Sequence, residues 1–131
     1  MMQHIFRLIL LTSFVAFVAL VGFGIGTAVA GGPPALMTSP DSKAHAANNE
    51  GIEHYNQEHW DVALGHFIKA VEADPASAEA HYNLALALDK TDKHMEAANE
   101  FKMAQDIGKD NPDIQNSKIL LGHVKMLKKG M

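Results

Sequence analysis

An all-α fold, two antiparallel helix pairs closed by a C-terminal helix, is predicted by three features of the sequence. Residues Trp60 to Pro75 place Trp60, Ala63, Leu64, Phe67, Ile68 and Val71 at i, i+3, i+4, i+7, i+8 and i+11. That is the spacing of one helical face, without the alternation of a strand. The pattern then returns 34 residues later, with Ala63, Phe67 and Ala70 echoed by Ala97, Phe101 and Ala104, and Gly51 echoed by Ala85. A fixed period of this size marks an array of helix pairs, a short α-solenoid. Lastly, Asp74-Pro75, the run Asp89 to Asp92, and Gly108 with Asn111-Pro112 interrupt the chain where such helices end or begin.

The chain opens with Arg7 and then an uncharged run, residues 8–29, dominated by Leu, Val, Phe, Ala and Gly. A basic start, an apolar stretch and the small-x-small sequence Ala28-Val29-Ala30 read as a signal peptide cleaved near Ala30. The run is also long enough to be retained as a membrane anchor through residues 8–29. Both readings leave the N-terminus cytoplasmic and export everything after residue 30. The expected location is a bacterial periplasm, soluble after cleavage or tethered to the inner membrane. There is no cysteine, which excludes disulfides, thiolate metal sites and covalent c-type haem.

Residues 31–43, rich in Gly, Pro and Ser, read as a linker, with Ser39-Pro40 or Ser42 placed to start a helix. The first pair is expected as a helix from about Ala44 to Gln57 and the organising helix ending at Asp74-Pro75. The second pair begins near Ala78. After the turn at Asp89 to Asp92, with Asp92 as an N-cap, its second helix runs from about Lys93 to Ile107. A single last helix, about Asp113 to Lys129, contains Ile119-Leu120-Leu121-Gly122 and would cover the face the second pair leaves open.

The set Ala63, Phe67, Ala70 and Pro75, with Gly51 before it and Ala85, Ala97, Phe101 and Ala104 in the second copy, resembles the signature of the tetratricopeptide repeat. On that resemblance residues 44–77 and 78–111 are the two repeats and 113–129 the cap, within a domain spanning 44–131. Tyr82-Asn83-Leu84 also matches the family pattern. The resemblance implies a protein-binding adaptor or scaffold, and an exported one in the cell envelope. Its concave groove would be lined by Asn48, Ile52, Tyr55, Tyr82, Asn83, Leu86, Ile119, His123 and Met126. Tyr55, Tyr82 and Leu86 would face a partner protein or peptide, with Asn48 and Asn83 hydrogen-bonding its backbone. Where a carboxylate-clamping subclass carries Lys and Asn, this chain has Asn48 and Ile52, so a C-terminal carboxylate would find no charge-assisted donors.

All fifteen acidic residues lie between Asp41 and Asp113 beside six lysines, a net of −9, while Lys118, Lys125, Lys128 and Lys129 stand alone. The acidic body argues against a nucleic-acid partner. The basic end suits the negative pole of a terminal helix. Seven histidines follow residue 30, but none forms His-x-x-x-His or His-Glu-x-x-His, so no metal site and no cofactor is expected. No Gly-rich phosphate loop, Gly-x-Ser-x-Gly elbow or cysteine nucleophile is present, and the chain is not expected to be an enzyme. The alternative function is a structural subunit that self-associates or packs within a larger complex, which leaves homo-oligomerisation open.

Overall fold

The computed structural model describes residues 33–130, and among them every regular element is a helix. The first pair is α1 (His45–Asn56) and α2 (Trp60–Ala73), the second α3 (Ala78–Lys90) and α4 (His94–Ile107). A short α5 (Pro112–Gln115) leads into α6 (Lys118–Lys128). The expected signal peptide or anchor over residues 1–30 lies outside the described residues. No described helix is long and apolar enough to cross a membrane. Each of the first four helices packs on the next, and α6 packs on α4. This is the short α-solenoid that the period predicts.

The period is visible in the backbone as well as the side chains. Glu58 and Asp92, 34 residues apart, both take a left-handed conformation (φ 62° and 61°) in the turn inside each pair. A non-glycine residue there costs about 1–2 kcal/mol, which the packing of each pair must offset. The expected N-cap at Asp92 is therefore corrected. Its backbone makes the reversal, Lys93 takes the position before α4, and no side chain caps that helix. Caps do form elsewhere. Ser77 Oγ accepts from the Ala80 N–H (3.1 Å) at the start of α3. Ahead of α1, which has no side-chain cap, Ser42 Oγ instead fixes the turn. It accepts from the Ala44 N–H (3.1 Å) and donates to Asp74 Oδ2 (2.7 Å), tying the turn to the end of α2.

The repeated small and aromatic residues build the core. Ala63, Phe67, Ala70, Ala85, Ala97, Phe101 and Ala104 are all fully buried. Gly51 is required by close approach: a Cβ there would lie 2.5 Å from the Phe67 ring. Ile68 departs from the predicted stripe and is 42% exposed at its edge. α3 is the central element, buried continuously from Ala80 to Leu88. The last helix is not continuous. Asn116 closes α5, and Ser117 begins α6 by accepting from the Leu120 N–H (3.4 Å). Ile114, Leu120 and Val124 still supply the apolar cover expected of a cap.

One buried histidine ties three elements together. His81 on α3 donates from Nδ1 to Glu100 Oε2 on α4 (2.6 Å) and from Nε2 to the Pro75 carbonyl (2.9 Å). Both partners are acceptors, so the geometry favours the imidazolium. Its pKa is raised above the usual 6.5, first by the Glu100 hydrogen bond and then by Pro75 and the Glu100 charge, against the opposing effect of burial. A folded pKa above the unfolded one gives stability that is complete below pH 6.5 and is lost as pH rises through the folded value. The melting temperature is expected to fall by a few degrees across that window. In His81→Gln this slope should vanish, which thermal melts at stepped pH would show.

Candidate functional site

The segment expected to be a free linker is docked. Residues 34–39 run without regular structure, with Ala35 and Leu36 packed against the main core. The residues holding them come from α1 and α3. Asn83 Oδ1 accepts from the Leu36 N–H (2.7 Å), and Asn83 Nδ2 donates to the Leu36 carbonyl (2.7 Å). Asn48 Nδ2 donates to the same carbonyl (3.0 Å), and the two amides are joined by Asn83 Nδ2 donating to Asn48 Oδ1 (2.8 Å). Both asparagines are fully buried.

A side-chain amide offers the same donor and acceptor as a peptide group. Asn83 thus pairs with Leu36 much as a neighbouring strand would, reading main chain and ignoring side-chain identity. Beside the docked segment lies a hollow of about 520 Å³, lined by Pro33, Pro34, Leu36, Tyr82, Asp113, Ser117, Lys118 and Ile119.

The residues expected to line the groove divide. Asn48 and Asn83 bind an extended main chain, but it is the protein's own. Ile119 is half-buried on the wall of the hollow. Ile52 is half-buried against the core, and Met126 is half-buried on α6.

Tyr55, Tyr82 and Leu86, expected to face a partner, are core residues no more than 3% exposed. Tyr82 spends its ring edge-on against Phe101 (5.5 Å between centroids) and shares a hydrogen bond with Ser117 Oγ (3.0 Å). Tyr55 packs edge-on against Trp60 (4.9 Å). Its hydroxyl is buried without a partner, and burial pushes its pKa up to about 12, with Tyr82 and Asp89 adding to the effect. The physical reason for the correction is coverage. α3 lies between α2 and α4, contacts α1, and is clamped by the docked segment. That leaves Tyr82 only an edge on the hollow and Leu86 almost nothing, while Tyr55 on α1 is covered by Trp60 and Phe67.

His123 is also corrected, because its ring is occupied by Asp89, the Ile119 carbonyl and Phe101 and is not left open to a partner. Nε2 lies 2.8 Å from Asp89 Oδ1, and the ring packs 5.1 Å from Phe101. His94 joins from α4, its Nδ1 2.9 Å from the same Asp89 oxygen. Asp89, His94 and His123 thus bring one ligand-capable atom each to within 4.8 Å of one another. Spacing along the sequence reveals pairs on a single helix, whereas these residues come from α3, α4 and α6. His54 lies with His59 and His66 at centroid distances of 5.8 and 5.3 Å without a comparable convergence of ligand atoms.

A family model described as tetratricopeptide repeat matches residues 48–112. No curated protein and no solved structure matches the chain.

Proposed function

We infer the function from the premise that the chain belongs to the tetratricopeptide repeat family through residues 48–112, a fold of interaction surfaces rather than of catalytic centres. The protein is an adaptor that takes an extended segment of a partner protein into the concave side of its helix pairs. The observation that carries this reading is the pair of buried amides, Asn48 and Asn83, closed on the main chain of Leu36. A clamp of this chemistry accepts any extended backbone, and residues 33–39 act as a built-in competitor for it.

A partner must then bind the fraction of molecules whose own segment is released, which weakens its apparent affinity by that fraction. Deleting residues 33–40 is expected to tighten binding about tenfold, if about one molecule in ten is open at rest. The probe is the partner recovered by crosslinking from native envelope membranes, and titration against both chains reads the change. Unchanged or lost binding in the deletion variant would make the segment part of the wall, not a competitor.

The working location is the cell envelope. Its support is the sequence, an uncharged run over residues 8–29 behind Arg7 and ahead of Ala28-Val29-Ala30. Replacing Ala28 and Ala30 by bulky residues is expected to leave a membrane-bound precursor, while the wild-type protein begins at Gly31 and fractionates as soluble. An intact N-terminus on wild-type protein in membranes would establish the anchor instead.

The second reading is a self-associating subunit. It is favoured by five large apolar residues left 38–47% exposed on the second helices, Val62 and Ile68 on α2 and Met95, Met103 and Ile107 on α4. Sedimentation over a range of concentrations separates it from a monomeric adaptor.

A further inference from the structure

We propose that Asp89, His94 and His123 form a site for one transition-metal dication of the zinc type, which fastens α6 to the turn between α3 and α4. The ligand set is two imidazole nitrogens and one carboxylate oxygen. Imidazole-containing sets suit Zn²⁺, Ni²⁺, Co²⁺ and Cu²⁺, whereas Mg²⁺ and Ca²⁺ prefer oxygen throughout.

The acceptor–acceptor surroundings of His123 suit a second proton, as at His81, or a metal ion. What favours the metal is that a second imidazole, His94, converges on the Asp89 oxygen that His123 faces. His123 Nδ1 lies 3.0 Å from the Ile119 carbonyl and its Nε2 lies 2.8 Å from Asp89 Oδ1. Both neighbours are acceptors, and a neutral imidazole has one N–H to give. With that proton on Nδ1, the Nε2 lone pair faces a carboxylate oxygen, an arrangement a metal ion between them resolves. A backbone carbonyl holding the non-ligating N–H is also how metal-bound histidines are commonly oriented. The same Asp89 oxygen lies 2.9 Å from His94 Nδ1, so one carboxylate faces both rings.

The spacing is close to that required. Bonds of about 2.0 Å at tetrahedral angles place ligand atoms about 3.3 Å apart, so the two short separations must open by about half an ångström. The third, within 4.8 Å, must close by up to about 1.5 Å. His94 can supply the movement, since its side chain is 55% exposed. The Asp89 and His123 side chains are 21% and 12% exposed, which limits competition by water on the inner side. Three protein ligands leave a fourth position for water, reached from the His94 side. Asp92 Oδ1, 3.8 Å from His94 Nε2, adds negative charge next to it. The consequence reaches the hollow, because Ile119, whose carbonyl orients His123, is part of its wall.

The test is titration of the full chain, stripped with chelator, by ZnCl₂, followed by calorimetry and thermal melts. One Zn²⁺ per chain and a higher melting temperature are expected, with no such rise from MgCl₂. His94→Gln, Asp89→Asn and His123→Gln should each weaken binding by about 100-fold, the upper end of what losing even an orienting partner costs. His123 packs on Phe101, so its replacement tests folding as well. The exposed His94 gives the cleaner variant, and His59→Gln serves as the control that leaves binding unchanged. In nuclear magnetic resonance spectra the ring signals of His94 and His123 should shift together at one equivalent of zinc. Undiminished affinity in His94→Gln and Asp89→Asn, shifts confined to other histidines, an equal response to Mg²⁺, or no binding at millimolar zinc would each overturn the site. Asp89 would then be a hydrogen-bond partner for two rings and nothing more.

Discussion

Phe67→Ala is expected to leave the chain with no more than about 2 kcal/mol of stability. At the upper end of the cost it should unfold about half of the molecules at room temperature. The ring is fully buried, among the largest such side chains in the protein. It seats directly on the Gly51 backbone, and its centroid lies 6.4 Å from that of Tyr55. Truncating such a ring costs about 3–5 kcal/mol, since the cavity left behind collapses only partly. An array of two pairs and a cap sits near the low end for folded domains, about 5 kcal/mol. Phe101, one period later and equally buried, should give a loss of similar size. Helical circular dichroism and urea midpoints check both. An unchanged midpoint in Phe67→Ala would contradict the packing of α1 on α2.

Asn83→Ala carries the second-largest expected effect. It removes three hydrogen bonds, leaving the Leu36 N–H and Asn48 Oδ1 without a partner and the Leu36 carbonyl with Asn48 Nδ2 alone. Leaving a buried polar group unpaired costs about 1–3 kcal/mol, but undocking of the segment lets water take over the Leu36 groups. The expected net loss is therefore about 2–3 kcal/mol, with residues 33–39 becoming the first site of proteolytic cleavage. Asn83→Asp tests the chemistry without changing the shape. A carboxylate can still accept from the Leu36 N–H but cannot donate to its carbonyl or to Asn48. Both variants should release the segment while α1 to α6 persist. Retained protection of the segment in either one would mean that apolar contacts at Ala35 and Leu36, not the amides, hold it.

The helix pairs were legible because their cause is local and repeated. Ala63, Phe67 and Ala70 share a helical face, and each finds its echo 34 residues on in an equally buried residue. The left-handed residues Glu58 and Asp92 obey the same period, yet nothing in their identity announces that conformation. The break before α6 left a signal in Ser117, a good N-cap ahead of Ile119 and Leu120, which the apolar run around it obscured.

The docked segment was illegible for a chemical reason. Asn48 and Asn83 recognise main chain, so residues 33–39 carry no side-chain pattern that distinguishes them from a linker. Placing Tyr82 and Leu86 in an open groove assumed a concave side that the chain itself fills. His94 and His123 lie 5 and 34 residues beyond Asp89 along the sequence, and only the packing of three helices brings them together.

Hydrogen exchange at the Leu36 amide tests most directly the claim that the concave side is a main-chain clamp with a built-in competitor. In the free protein the Leu36 N–H, bonded to a fully buried Asn83, should exchange at least about tenfold more slowly than in an unfolded chain. That protection corresponds to a docked segment released in about one molecule in ten. Adding the partner recovered by crosslinking should bring the Leu36 amide to the unprotected rate while the amides of α3 stay protected. A Leu36 amide that remains protected in the saturated complex would contradict the account, because the partner would then bind without entering the clamp.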